Sequence, residues 1–133
     1  MARPEPIQLR GSAPDSPLLV VRGGVNSLTD EVVLRAAALT RTRWGIDGIS
    51  VYEAPDGDLV ALAHRVRAMA ERPLVRTAFA AVVRAAGFPL LDTLGELHWT
   101  IVLADLEPAT LQRLRSVFGE PIDNPGYQPR PRR

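Results

Sequence analysis

The segment Glu96-Leu97-His98-Trp99-Thr100-Ile101-Val102-Leu103 is the clearest strand in this 133-residue chain. Side chains alternate between the two faces of a strand, so Trp99 and Ile101 are expected on one face and His98 and Thr100 on the other. The segment carries one of the two histidines and one of the two tryptophans of the protein. It therefore predicts a titratable group on a buried element of a β-sheet.

The rest of the chain adds elements that extend this strand into an α+β fold. Residues 17–21 are a continuous apolar run, which is typical of a strand buried on both faces, and Asn26 or Ser27 is expected to cap the helix after it. Residues 74–86 alternate like a strand but are rich in alanine like a helix, and we favour a strand that turns near Arg84. The predicted order is β-α-β-α-β-β-β-α. Early βα units followed by successive strands predict one α+β domain with a mixed sheet covered by helices.

The two ends of the chain differ from its middle in composition. Residues 1–16 are rich in proline, glycine, serine and charge, and we expect a flexible N-terminal arm. Residues 17–119 are the expected globular α+β domain. Residues 120–133 form a Pro/Arg-rich C-terminal tail, in which four prolines prevent a helix. The tail is either solvated or folds onto a partner.

The composition excludes several chemistries. The chain has no cysteine, which excludes disulfides, thiolate metal sites and a cysteine nucleophile. All sixteen basic residues are arginine, which excludes Schiff-base lysines and the P-loop lysine. Two histidines without ligand spacing predict no metal site, and no cofactor is implied. The net charge of +1 gives no overall footprint for nucleic acid. No long apolar run or signal core is present, so we expect a cytoplasmic protein without membrane contact.

The first candidate site is the corner Arg22-Gly23-Gly24-Val25-Asn26-Ser27. A strand end, a flexible glycine pair and the start of a helix bring backbone N–H groups and a positive dipole end together, and such a corner can hold an anion. The guanidinium of Arg22 could add a bidentate contact to phosphate or carboxylate. The pattern is neither a dinucleotide-binding fingerprint nor a P-loop, and a glycine pair also occurs in tight connections without function.

The second candidate site is His98 with Thr100. A histidine titrates near neutral pH and can act as a general acid or base. His98-Trp99-Thr100-Ile101 also fits the pattern of two-histidine phosphoesterases, but those enzymes need two such motifs, and His64 has no matching threonine. The alternative is a histidine that is hydrogen-bonded within the sheet and has no catalytic role.

The third candidate is a surface formed by Arg41, Arg43 and Trp44. Arginine interleaved with an aromatic ring can stack on bases or contact phosphates. It can equally contact a protein partner, because tryptophan and arginine are enriched in binding hot spots. Alternatively, Trp44 closes the core beneath the end of its helix.

Five short segments, spread over most of residues 17–125, carry a resemblance to known proteins. They are Val21-Arg22-Gly23-Gly24, Gly48-Ile49-Ser50-Val51-Tyr52, Ala85-Ala86-Gly87-Phe88, His98-Trp99-Thr100-Ile101 and Asp123-Asn124-Pro125. In these segments the chain resembles a family of small, uncharacterised actinobacterial proteins that look like one half of a toxin–antitoxin or similar two-gene module. The resemblance implies an antitoxin-like protein partner.

A fainter similarity is to small ADP-ribosyltransferase toxins. That family places an arginine at the end of its first strand, a serine on its second strand and a catalytic glutamate on a late strand. Arg22 and Ser50 match in type and order, but Thr100 stands where the glutamate belongs, and Glu96 is the nearest substitute.

Three functions follow as expectations. The leading hypothesis is a small toxin-like effector that acts on RNA or a nucleotide, in which Arg22 and residues 23–27 hold phosphate. His98 would then be the acid/base, and Arg43 or Arg76 would stabilise charge. The first alternative is a non-enzymatic interaction module that binds an antitoxin-type partner or forms a homodimer. The second alternative is an NAD-dependent ADP-ribosyltransferase-like protein.

Overall fold

One β-sheet organises the described part of the chain. The computed structural model describes residues 7–8, 19–24, 26–93 and 97–129. The strands are β1 (Ile7–Gln8), β2 (Leu19–Gly23), β3 (Gly48–Ala54), β4 (Leu74–Phe79), β5 (Leu90–Asp92), β6 (His98–Val102) and β7 (Ile122–Asp123). The α-helices are α1 (Asp30–Trp44), α2 (Leu59–Arg65), α3 (Arg67–Ala70), α4 (Ala80–Ala85) and α5 (Pro108–Val117), and a 3₁₀ turn spans Pro55–Gly57.

The strands follow the order β1-β5-β6-β3-β2-β4-β7 across the sheet, and every pairing is antiparallel. The predicted α+β class is confirmed, and the predicted order of elements is broadly matched. The expectation of a mixed sheet is corrected in one respect, because no described pair is parallel. The sequence shows that a helix separates β2 from β3, but it does not show the direction in which β3 enters the sheet. In the structure β3 lies directly beside β2 and runs the opposite way, with Val21 opposite Tyr52.

Strand β2 lies near the centre of the sheet and is covered on both faces. Val20 and Val21 point to opposite faces, and both are fully buried, which confirms the strand predicted from the apolar run. The larger core packs Val20 with side chains of α1, α4 and α5, among them Val33, Val83 and Leu114. The smaller core packs Val21 with Leu62 and Met69 from the α2–α3 region. The sheet is therefore sandwiched between two unequal helical layers.

Two local predictions differ from the structure. Helix α1 is capped by Thr29, whose Oγ1 accepts from the backbone N–H of Val32, and not by Asn26 or Ser27. The helix begins later because the Thr29 N–H donates to the Asn26 carbonyl in a turn that places Leu28 fully inside the core. Residues 74–86 contain both predicted alternatives, since β4 ends at Phe79 and α4 begins at Ala80. The chain therefore turns before Arg84.

The folded part of the chain extends beyond the expected boundaries of residues 17–119. Within the expected arm, Ile7 pairs with Asp92 and adds an edge strand to β5. Within the expected tail, Ile122 pairs with Val75, and Asn124 is buried. Proline prevents a helix in this tail, as expected, but backbone and side-chain hydrogen bonds still attach it to the domain. The other residues of the arm, and the terminal residues 130–133, lie outside the described residues.

Candidate anion-binding cleft

A cleft of about 600 Å³ opens where β2 ends and α3 connects to β4. The side chains that give it its chemistry are Arg22, Ser27, Arg35, Ser50, Tyr52 and Arg72. Among the described residues that line it, three are arginines and none is an aspartate or glutamate. Arg35 is paired with Glu31 of its own helix, with Nη2 3.0 Å from Oε1. The excess of positive charge in the cleft therefore comes from Arg22 and Arg72, in a molecule whose net charge is only +1.

Arg22 forms the inner wall of this cleft. Its Nη1 donates to the Ser50 carbonyl at 2.8 Å, and its Nε lies 3.4 Å from the Ser27 carbonyl. Burial lowers the pKa of Arg22, the nearby guanidinium of Arg72 lowers it further, and Tyr52 acts in the opposite direction. Arginine remains charged in proteins at neutral pH. The lowered pKa therefore means that keeping Arg22 charged in the folded protein costs free energy. The charge of a bound anion would offset both unfavourable contributions.

The two glycines after Arg22 shape the rim of the cleft. A Cβ on Gly23 would lie 2.7 Å from Cγ of Arg72 and 2.9 Å from Cε of Met69, so a side chain here would push Arg72 out of place. Gly24 has φ of 100°, a left-handed conformation that L-residues rarely adopt. The glycine pair therefore allows the turn and also the close approach of Arg72 to β2.

Ser27 lines the cleft with a hydroxyl that has no hydrogen-bond partner in the described part of the structure. The residue is 6% exposed, and its Oγ is buried. A buried hydroxyl without a partner costs on the order of 1–3 kcal/mol, so such groups are uncommon unless a ligand or water satisfies them. Its neighbour Asn26 is exposed and also lines the cleft. Val25, between Gly24 and Asn26, lies outside the described residues.

The N-terminus of α1 contributes less to this site than the sequence suggested. Thr29 caps the helix, and the first turn carries Asp30 and Glu31, whose carboxylates already lie at the positive end of the helix dipole. Asp30 also forms an ion pair with Arg115. Attraction for an anion therefore comes from the arginines and the unpaired hydroxyl, and not from the helix dipole.

His98 lies outside the set of residues that line this cleft. Its imidazole makes an edge-on contact with Tyr52, with ring centroids 5.2 Å apart, and Tyr52 in turn lines the cleft. Nδ1 of His98 lies 2.8 Å from Oγ1 of Thr93, and that hydroxyl lies 2.9 Å from Oγ1 of Thr100. All three side chains of this hydrogen-bonded cluster are buried. Tyr52 therefore stands between the imidazole and the cleft.

The surroundings of His98 favour its neutral form. Burial lowers the pKa of His98, the positive charge of Arg43 lowers it further, and Asp92 opposes them. A neutral imidazole that is hydrogen-bonded to a buried threonine matches the structural alternative considered from the sequence. The predicted alternation along β6 is present, since His98 and Thr100 pair with Tyr52 and Ser50 on one face of the sheet.

The three residues of the third candidate surface have different surroundings. Arg41 forms two hydrogen bonds to Asp47, with Nε to Oδ1 at 2.9 Å and Nη2 to Oδ2 at 2.5 Å, and this raises the pKa of Arg41. Arg43 and the half-buried Trp44 instead line a second cavity of about 440 Å³. Ser50 lines both cavities, so the two are neighbours across one residue of β3.

The structure thus brings together only part of what the sequence singled out. Arg22, Gly23, Gly24, Asn26, Ser27 and Ser50 all line the cleft, whereas His98 and Thr100 do not. Arg76 is also elsewhere, with its Nε donating to the carbonyl of Gly119. Tyr52 and Arg72 were missed. Tyr52 follows Ser50 by two residues and so shares its face of the strand, a signal that the sequence did contain, but Arg72 reaches β2 only through tertiary packing.

Comparisons with protein-family models, with curated proteins and with solved structures found no match to this chain. Among the described residues, no group of three or more histidine, cysteine, aspartate or glutamate side chains is placed to hold a metal ion. No helix within the described ranges has the length and apolar character needed to cross a bilayer.

Proposed function

We propose that this chain is a small nucleotide-binding domain whose cleft holds a phosphate group of the ligand. The observation that carries the proposal is the combination, in one cleft, of Arg22, Arg72 and the unpartnered hydroxyl of Ser27, with no lining carboxylate among the described residues. Arg35 lines the same cleft and is also paired with Glu31. Arginine is well suited to phosphate because its planar guanidinium can donate two parallel hydrogen bonds. Ser27 would donate its hydroxyl proton to the same group.

The size of the cleft favours a small ligand over a long nucleic acid. Pockets for small molecules and cofactors range from about 300 to 1,000 Å³, and the cleft falls within that range at about 600 Å³. Proteins that track a nucleic-acid backbone carry an extended basic surface, and the net charge of +1 argues against one here. We therefore prefer a mononucleotide to RNA as the ligand.

The catalytic part of the toxin-like hypothesis has less support than the binding part. The candidate acid/base His98 is buried, is hydrogen-bonded to Thr93 and is separated from the cleft by Tyr52. The ADP-ribosyltransferase alternative needs a carboxylate beside Arg22 and Ser50, and none of the described lining residues supplies one. Glu96, the substitute considered for that role, lies outside the described residues. Binding without chemistry is therefore the form in which we propose the function.

Calorimetric titration with ADP tests the proposal. We expect the wild-type protein to bind ADP, and we expect Arg72→Gln to weaken binding by about tenfold or more, because a charge-assisted hydrogen bond is lost. The matched control is Arg65→Gln, which removes an equally exposed arginine that lines a different pocket on α2. Equal weakening by both variants would show that only net charge matters. No binding of ADP or pyrophosphate at millimolar concentration would refute the proposal.

A second experiment addresses the toxin-like hypothesis and its alternative. If expression of the chain inhibits growth, Arg22→Met should abolish inhibition and His98→Asn should not, because only Arg22 lines the cleft. The reverse result would restore His98 as the active group. Size-exclusion chromatography with light scattering tests the interaction module, since a stable dimer or a complex with an antitoxin-like partner would favour it.

A further inference from the structure

The cavity beside Trp44 is the strongest feature that the phosphate cleft does not explain. It is bounded by the last two turns of α1 and by Ser50 of β3, and its apolar part comes from Leu39 and Trp44. Leu39 is 69% exposed, more than any other large hydrophobic side chain in the described ranges. Leu39 and the half-buried indole of Trp44 line the same cavity.

Arg43 supplies the positive charge among the polar side chains that line this cavity. Thr40 and Thr42 donate their hydroxyls to carbonyls of their own helix, those of Ala36 and Ala38. Arg43 is exposed on the same rim, and none of the described residues that line the cavity is acidic. The cavity thus combines a flat aromatic ring, an aliphatic side chain and a guanidinium, which is the combination on which nucleic-acid bases stack.

The two cavities share one lining residue, Ser50, and both are lined by residues of α1. Arg35 faces the phosphate cleft, and Leu39, one helical turn later, faces the second cavity. Ser50 lines both cavities and lies at the point where they meet.

From this arrangement we infer that the cavity beside Trp44 binds the base of the nucleotide whose phosphate lies in the cleft of Arg22, Arg35 and Arg72. The inference rests on the proposed function and adds to it the place where the base of the nucleotide binds. Stacking on an aromatic face tolerates every base, so purine and pyrimidine nucleotides should bind with similar affinity.

Comparing ADP with pyrophosphate in calorimetric titrations tests the inference. We expect Trp44→Leu to weaken binding of ADP by about tenfold or more and to leave binding of pyrophosphate unchanged, since stacking on one base commonly contributes this much. Trp44→Phe retains an aromatic ring and should restore most of the affinity. The matched control is Leu34→Ala, an exposed apolar residue of α1 that lines neither cavity, and it should bind both ligands like wild type. Thermal melts establish that each variant is folded.

The outcomes separate this inference from the proposed function. If ADP and pyrophosphate bind equally well and Trp44→Phe and Trp44→Leu change neither, the inference is wrong and the phosphate cleft stands. If neither ligand binds, both ideas fail. Binding of a single-stranded oligonucleotide without binding of ADP would overturn the assignment to a mononucleotide. A dimer of the wild-type chain that Trp44→Leu dissociates would assign the surface to self-association and also overturn it.

Discussion

The cleft around Arg22 and the cluster around His98 lie two strands apart on one sheet, on either side of β3. In the cleft, the hydroxyl of Ser27 is buried without a partner among the described residues, and of the three lining arginines Arg35 is paired with Glu31 of its own helix. In the cluster, Thr93 satisfies both His98 and Thr100. The side chains that line the cleft thus differ from those of the cluster in having hydrogen-bonding capacity and charge left over. His98, a titratable residue on a buried strand, is here part of a hydrogen-bonded cluster within the fold.

The largest effect is expected at the wall of the cleft. Asn124 donates from Nδ2 to the carbonyls of Met69 and Arg72, both at 2.8 Å, and its Oδ1 accepts from the N–H of Gly126. Asn124→Ala should lower the free energy of unfolding by about 3 kcal/mol, because three buried hydrogen bonds are lost at about 1 kcal/mol each. Urea denaturation measures this, with the exposed neighbour Asp123→Ala as control. If the position of Arg72 in the cleft depends on these hydrogen bonds of Asn124, affinity for ADP should fall as well.

The next largest effect on stability is expected in the hydrogen-bonded cluster around His98. Thr93→Val keeps the shape of the side chain but removes the hydroxyl that contacts His98 and Thr100. The variant should be less stable by about 2 kcal/mol, because it leaves two buried polar groups without their partner. Binding of ADP should not change. The control for stability, and not for binding, is Thr42→Val, because its hydroxyl is exposed and bonds only within α1, although the residue lines the cavity beside Trp44. A loss of binding in Thr93→Val would show that the cluster and the cleft act as one site.

The pH dependence of stability should identify His98 as a buried neutral group. Because its pKa is lowered in the folded state, the unfolded state binds the additional proton more readily, and stability should fall as the pH drops below the ordinary value of 6.5. The slope contributed by one proton is at most about 1.4 kcal/mol per pH unit. His98→Asn should reduce this slope, whereas His64→Asn, at an exposed position, should retain it. Denaturation between pH 7 and pH 5 measures the difference, and an unchanged slope in His98→Asn would contradict the burial argument.

The smallest expected effect on the free energy of unfolding is an increase, at Ser27 in the cleft. Ser27→Ala removes an unpaired buried hydroxyl, so the free protein should become more stable by about 1 kcal/mol. The same variant should bind ADP more weakly, because the ligand loses a donor. Ser116→Ala is the control, since its hydroxyl is exposed and bonded to the carbonyl of Arg113. Destabilisation by Ser27→Ala would mean that the hydroxyl has a partner in the free protein, and the strongest support for the cleft would be lost.

The C-terminal tail shows how far composition alone can mislead. Its prolines exclude a helix, as predicted, but Asn124 and the backbone of Gln128 still attach it to α3 and the residues that follow. Proline restricts the backbone of its own residue and removes one donor, and it leaves the other hydrogen-bonding groups of the segment available. A segment rich in proline can therefore be an ordered part of the domain.

The sequence by itself determined the class of the fold and much of the cleft. The class of the fold followed from local patterns, namely an apolar run, an alternating strand and amphipathic helices. Local patterns determine whether a segment is a strand or a helix, and they show which residues follow the end of a strand. Arg22, the glycine pair and Ser27 are close in the chain, so their proximity followed from one turn. Strand direction, the approach of Arg72 and the isolation of His98 behind Tyr52 were decided by tertiary structure alone. These three features depend on which strands become neighbours in the sheet. The pairing of strands depends in turn on how the two helical layers bury the sheet, and this is a property of the whole chain.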